Sequence, residues 1–217
     1  MALSFRTKNI AVYEELRRDI IEGKLKPGQK IIMSEIAKNY GLSEIPVREA
    51  IRRLESDGFV NFTPHVGAVV TKIEEKEFVE IYLIRIELES LATRLAVPYI
   101  TPKDIAFLES KNKEMKSAIQ TKSFEKLGHL NREFHLKIYQ AAPLPYLNKI
   151  LKDLWDKVER TQSVFAYVPD RAEASVSEHE SIIEALKLGD VSLAESLIKE
   201  QKSKTMEALQ KFINENT

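Results

Sequence analysis

Residues 34–70 read SEIAKNYGLSEIPVREAIRRLESDGFVNFTPHVGAVV, and this stretch decides the fold of the N-terminal region. SEIAKNY predicts a short helix capped by Ser34 and broken at Gly41. A second helix is expected from near Ser43 to about Ser56, before Asp57-Gly58. Pro46 fits there because first-turn N–H groups lack intrahelical partners in any case. FVNFTPHVGAVVTKI then alternates like strands, and a turn at Thr63–Gly67 makes it a hairpin. Upstream, NIAVYEELRRDIIE (9–22) carries Val12, Leu16 and Ile20 at helical spacing, with Asn9 as N-cap and Gly23 as the stop. KLKPGQKI reads as a turn with Pro27-Gly28 at its apex. Three helices followed by a hairpin make a winged helix-turn-helix over residues 1–72.

From residue 73 to 217 the pattern is helical almost throughout. Thr71-x-x-Glu74 has capping-box spacing for a long helix reaching about Pro98, and Thr101-Pro102-x-Asp104 starts the next. Four further helices are expected at 123–142, 144–166, 170–188 and 190–214, separated by Pro143/Pro145, Pro169 and Gly189-Asp190. The fold class is therefore mainly α: an N-terminal winged helix-turn-helix plus a C-terminal all-α helical bundle.

Composition fits this division. The charged fraction is 30% and the hydrophobic fraction 43%, as in a folded globular chain. No apolar run approaches the ~18 residues of a membrane span, and MALSFRTKNI lacks the apolar core of a signal peptide. Cysteine is absent, which excludes disulfides and thiolate zinc sites and fits a reducing cytoplasm. Net charge is zero, but residues 1–72 hold 12 Lys/Arg against 9 Asp/Glu (+3) and residues 73–217 hold 21 against 24 (−3). What matters for nucleic acid is how the basic residues cluster.

Arg48 and Arg52 lie four apart on one face of the second helix of the pair, while Val47, Ile51 and Leu54 occupy a face fit for the core. Guanidinium groups so placed can clamp phosphates or read guanine O6 and N7 in the major groove. Gly67 allows close backbone approach at the wing, and His65 can donate a hydrogen bond beside it. At this point LKPGQKI…SEIAKNYGLSEIPVREAIRRLESDGFVNFTPHVGAVV resembles the GntR family of bacterial regulators in its FadR-like branch: P-G, G-L-S, P-V-R-E-A-I-R-R-L-E, D-G-F-V and H-V-G fall in order. The resemblance implies a DNA-binding regulator, most commonly a dimer on palindromic operator DNA and controlled by small metabolites. It implies DNA contacts at Ser34, Ser43, Glu44, Ile45, Arg48, Arg52, His65 and Gly67. Glu44 and Ile45 depart from the family's usual arginine and threonine. A carboxylate at 44 can accept from cytosine N4 or orient Arg48 through an i,i+4 pair, so operator preference should differ.

The helical region resembles the FCD effector domain of that branch, in its six-helix form, through RIELE (85–89), NREFH (131–135), EHESIIEALKLGD (178–190) and Ala194–Gln201. The resemblance implies a small-metabolite effector, which the guanidinium of Arg85 would make a small organic acid, and, in many such domains, a divalent metal held by one Asp and three His. The matching positions here are Asn131, His135, His179 and Gln201. Periodicity turns the same residues inward. Asn131 and His135 share a face with Leu127 and Ile138, His179 with Val176 and Ile183, and Gln201 with Ala194 and Ile198. Arg85 stands mid-stripe between Tyr82 and Leu88. An unpaired buried polar group costs roughly 1–3 kcal/mol, so each needs a partner: either it is a satisfied core residue, or a shared polar cavity holding water, metal or an anion satisfies them together. Arg85 could hold an effector carboxylate bidentately or pair with Glu89. With amides at 131 and 201, a zinc or nickel ion would rest on His135 and His179 and bind weakly, so no cofactor is assigned. An enzyme reading lacks a nucleophile–base pair, a phosphate loop and a carboxylate in the cluster. A helical domain that only dimerises is the other alternative.

Overall fold

The computed structural model describes residues 5–63, 66–71, 75–159 and 164–216. These form two compact units, an N-terminal one ending after the wing strands and a helical one beginning with the long helix at Glu75.

In the N-terminal unit the order is α1 (Phe5–Ile21), β1 (Lys30–Ile31), α2 (Met33–Asn39), α3 (Glu44–Ser56), β2 (Val60–Thr63) and β3 (Gly67–Val70). The strands form one antiparallel sheet ordered β1-β3-β2, with Ile31 opposite Ala68 and Thr63 opposite Gly67. Val12, Leu16 and Ile20 of α1 meet Val47, Ile51 and Leu54 of α3, together with Val60, Ala68 and Val70 of the sheet. Each of these Val, Leu and Ile side chains contributes about 1.5–3 kcal/mol by leaving water. Tyr13 Oη donates to Asp57 at 2.7 Å, and the Arg53 guanidinium lies over the Tyr13 ring, so α1 also fixes the C-terminal end of α3.

Three details differ from the sequence reading. α1 begins at Phe5, because residues 5–8 contain no Gly or Pro to stop it. Asn9 is thus interior to the helix, and its Oδ1 is buried without a partner rather than capping. Ile32, not Ser34, holds the cap position of α2, and Ser34 sits exposed in the first turn. The Lys30–Ile31 pair, read as part of a turn, adds a strand to the hairpin. Between α2 and α3, Gly41 at φ +61 closes a Schellman motif, with Leu42 N–H donating to Ala37 O at 2.9 Å and Gly41 N–H to Lys38 O at 3.2 Å.

The helical unit comprises α4 (Glu75–Ala96), a single 3₁₀ turn (Val97–Tyr99), α5 (Pro102–Gln120), α6 (Phe124–Ala141), α7 (Pro145–Glu159), α8 (Val164–Tyr167), α9 (Asp170–Leu188) and α10 (Val191–Asn216). The stretch expected as one helix over 144–166 is thus described as α7 and α8. The box proposed on Thr71 and Glu74 falls partly outside the described residues. That of α5 is complete: Thr101 Oγ1 accepts from Asp104 N, and the Asp104 carboxylate accepts from Thr101 N at 2.8 Å. α4 packs along α10 and against α6 and α7, while α5 packs on α6 and α9. Phe134, Ile138, Leu151, Ile182 and Ile198 fill the centre. No described helix is long and apolar enough to cross a membrane.

Candidate functional site

The exposed side of α3 is the first site. The buried row Pro46, Val47, Ala50, Ile51 and Leu54 fixes the helix, leaving Glu44, Ile45, Arg48 and Arg52 toward solvent. Arg48 Nη2 lies 3.8 Å from Glu44 Oε2, and Arg52 Nη1 lies 3.3 Å from Glu49 Oε1. These are loose, exposed pairs of the kind worth a few tenths of a kcal/mol, so both guanidiniums can leave them for phosphate or a base. Ser43 holds the cap position without a capping side-chain bond. Gly67 opens β3 at φ +96, a conformation that favours glycine, and a Cβ there would lie 3.9 Å from Lys30 Cε. Lys30 is exposed beside the wing glycine and is a cation that the sequence reading missed; the β1–β3 pairing brings it there. His65 lies outside the described residues.

The second site is a buried polar network in the helical unit. Arg85 on α4 donates through Nε to Glu89 Oε1 at 2.6 Å, so the intrahelical pair left open by the sequence is made. Glu89 Oε2 accepts from Tyr139 Oη at 2.6 Å, and Lys202 Nζ from α10 lies 3.4 Å from the same oxygen. Two cations lie over the ring of Trp155 of α7, Arg85 at 4.0 Å and Lys202 at 4.9 Å. Tyr139 Oη is 3.3 Å from His135 Nδ1. His135 Nε2 faces His179 Nε2 at 3.2 Å, and His179 Nδ1 meets Asn112 Oδ1 at 3.2 Å. Asn112 in turn donates to Val176 O at 3.0 Å, and Phe134 stacks on the His179 ring at 3.8 Å.

Charge in this network is unequal. Burial would raise the Glu89 carboxyl, but Arg85, Lys202 and Tyr139 outweigh it and hold the group below its ordinary range, hence ionised. Burial lowers the Lys202 ammonium to about 8 despite Glu89, helped by the Arg85 charge. Burial, reinforced by Lys202, takes both histidines well below their usual value, so both are neutral. Two cations therefore share one carboxylate. Asn131 lies buried one turn before His135, and Gln201 is buried with neither its amide oxygen nor its nitrogen partnered. Trp155 Nε1 is also buried without a partner.

The expected residues are thus placed unequally. His135 and His179 touch, and Arg85 reaches them through Glu89 and Tyr139. Asn131 and Gln201 are buried without a hydrogen bond to either ring. Glu89, which the sequence offered as a partner for Arg85, is the carboxylate of the network, and its contacts with Arg85, Tyr139 and Lys202 leave it no role as a base. These donors do not fit a resident divalent metal. Two neutral imidazoles face each other, the nearby carboxylate is engaged, and Arg85 and Lys202 add repulsion; among the described residues no three of His, Asp and Glu converge.

Comparison with known proteins identifies the family and the two domains. The family model of bacterial regulatory proteins, gntR family, matches residues 9–70, and that of the FCD domain matches residues 80–201. The chain belongs to the GntR family, in its FadR-like branch with an FCD domain. It is 32% identical to the HTH-type transcriptional regulator YdhC of Bacillus subtilis over 81% of this chain and 79% of that one. It is 34% identical to the HTH-type regulator McbR of Escherichia coli over 67% of this chain and 66% of the relative. The solved structure of E. coli McbR/YncC matches over the whole of both chains with TM-score 0.68 at 25% identity. The transcriptional repressor RspR of E. coli is 25% identical over 96% of this chain and 92% of its own. This GntR protein is accordingly a DNA-binding transcription regulator, not an enzyme.

Proposed function

We propose that the chain is a cytoplasmic repressor that grips a palindromic operator as a homodimer and changes its hold when a small organic anion enters the helical domain. Residues 1–72 would bind DNA and residues 73–217 would bind effector and dimerise. Within the first, α3 enters the major groove and Arg48 and Arg52 supply its cationic contacts; Ser34, Ser43, His65 and Gly67 are assigned to backbone contacts, and Lys30 joins them. Leu83, Ile84 and Leu95 on the outer side of α4 are large and exposed, which suits a two-fold interface.

The observation that carries the effector reading is the buried surplus of cation beside unpartnered polar atoms. Arg85 and Lys202 exceed Glu89 by one charge, and the Gln201 amide and Trp155 Nε1 lack partners in the interior. A carboxylate ligand would neutralise the first and could accept from the second. Metal has no required part. The test is anisotropy of a labelled operator duplex with a panel of mono-, di- and hydroxycarboxylates. At least one class should shift operator affinity in wild type and lose its effect in Lys202→Met. A panel without effect, or an effect unchanged in the variant, would refute the assignment.

A further inference from the structure

The first turn of α3 presents the DNA with a side chain that has no polar atom. Ile45 is 63% exposed, the most exposed of the large apolar residues described in the N-terminal unit. Its position on the helix matters more than the number. At roughly 100° per residue, Ile45 and Arg52 fall almost in line along the solvent side, with Arg48 between them and to one flank. The buried row of Val47, Ala50, Ile51 and Leu54 lies opposite. Ile45 is therefore central in the surface that meets the major groove.

The neighbouring residue narrows what this surface can read. The Glu44 carboxylate offers only acceptor oxygens; Ile45 neither donates nor accepts. Together they cannot donate to guanine O6 or N7, the commonest specific contact in the major groove. The base-edge features left to them are the amino groups of cytosine and adenine, for Glu44, and the thymine 5-methyl, for Ile45. Arg48 and Arg52 follow on the next two turns and keep the donor contacts.

We infer that Ile45 is a specificity-determining residue that packs on the 5-methyl of a thymine in each operator half-site. This rests on the reading that α3 enters the major groove. Burying one methyl group should be worth about four-fold in affinity.

The test uses the full chain and a duplex enriched from a randomised library by wild type. Each thymine of the enriched half-site is replaced in turn by uracil, which removes only the methyl. Wild type should lose about four-fold at one thymine, whereas Ile45→Ala should bind the thymine and uracil duplexes alike. Because Ile45 is exposed, the alanine variant should keep the wild-type melting temperature, which separates readout from folding. An enriched operator indifferent to every methyl, or a methyl effect of the same size in Ile45→Ala, overturns the inference alone. A chain that enriches no sequence overturns the DNA-binding geometry and this inference together.

Discussion

His135 Nε2 and His179 Nε2 face each other at 3.2 Å, so one imidazole must donate the proton that the other accepts. His179 Nδ1 is turned to the Asn112 carbonyl oxygen, an acceptor, which places one proton of His179 on Nδ1. As a neutral ring it then accepts at Nε2 from His135. A metal would have to take both Nε2 atoms and expel that proton. Wild type should therefore show no stoichiometric zinc or nickel binding in calorimetry near neutral pH. Asn131→Asp with Gln201→His adds a negative charge and a third imidazole, and should gain binding. A double variant that stays inert would show that these side chains do not converge on the histidines.

Arg48→Ala and Arg52→Ala should each weaken operator binding by about 1–3 kcal/mol where the guanidinium reads a base, and less where it touches only phosphate. Salt titrations separate the two cases, because a phosphate contact changes the salt slope. Wild-type affinity in both folded variants would remove α3 from the groove. Glu44→Arg should change the consensus selected from an operator library, since a donor replaces an acceptor.

Glu89→Gln should destabilise strongly, because Arg85 and Lys202 would remain buried without their counter-charge. Loss of one partner of a buried pair costs about 3–5 kcal/mol, measurable by urea unfolding. A loss below about 1 kcal/mol would mean that water or ligand reaches the cluster and compensates the cations.

Leu83→Glu with Ile84→Glu should convert the full-length chain to monomer in sedimentation velocity without lowering its helix content, since both side chains are exposed on α4. A dimer that survives both charges would place the two-fold interface elsewhere.

Asp104 links the start of α5 to α6 through Lys137 Nζ at 2.7 Å, and Lys137 with Thr101 holds its carboxyl down at about 2. A depressed folded value means that the stabilisation is present above the ordinary value near 3.8 and is lost as pH falls toward 2. Allowing for solvent screening, it is about 1 kcal/mol. Asp104→Asn should therefore trail wild type in urea unfolding near pH 5, and the gap should narrow at lower pH. A gap independent of pH would assign the loss to the cap alone.

The elements most legible in the sequence were those with strong periodicity. The buried rows of α3, α6 and α9 carry their apolar residues at helical spacing, and Arg85, His135, His179 and Gln201 lie inside as that spacing requires. What escaped was set by tertiary pairing. Two residues, Lys30 and Ile31, are too few to show alternation and become a strand only because β3 supplies the partner. Lys202 follows Gln201 in a lysine-rich segment and reads as a solvent-facing charge, yet it is buried against Glu89, which lies far away in sequence. Asn112 likewise owes its place to His179 on another helix. For Asn9 and Ser34 the residue type suggested a cap, while the helix start was fixed by flanking chain with no breaker in it.

Trp155 is the only tryptophan in the chain, and it sits under Arg85 and Lys202 and beside the His135 ring. Every indole photon the protein emits therefore originates in the buried network. Indole fluorescence, excited at the red edge where the tyrosines of the DNA-binding half do not absorb, reports on that cluster without a label. A molecule that displaces either cation from the ring face, or accepts from the unpartnered indole N–H, changes the emission directly. The fold thus carries its own optical gauge of the buried cluster.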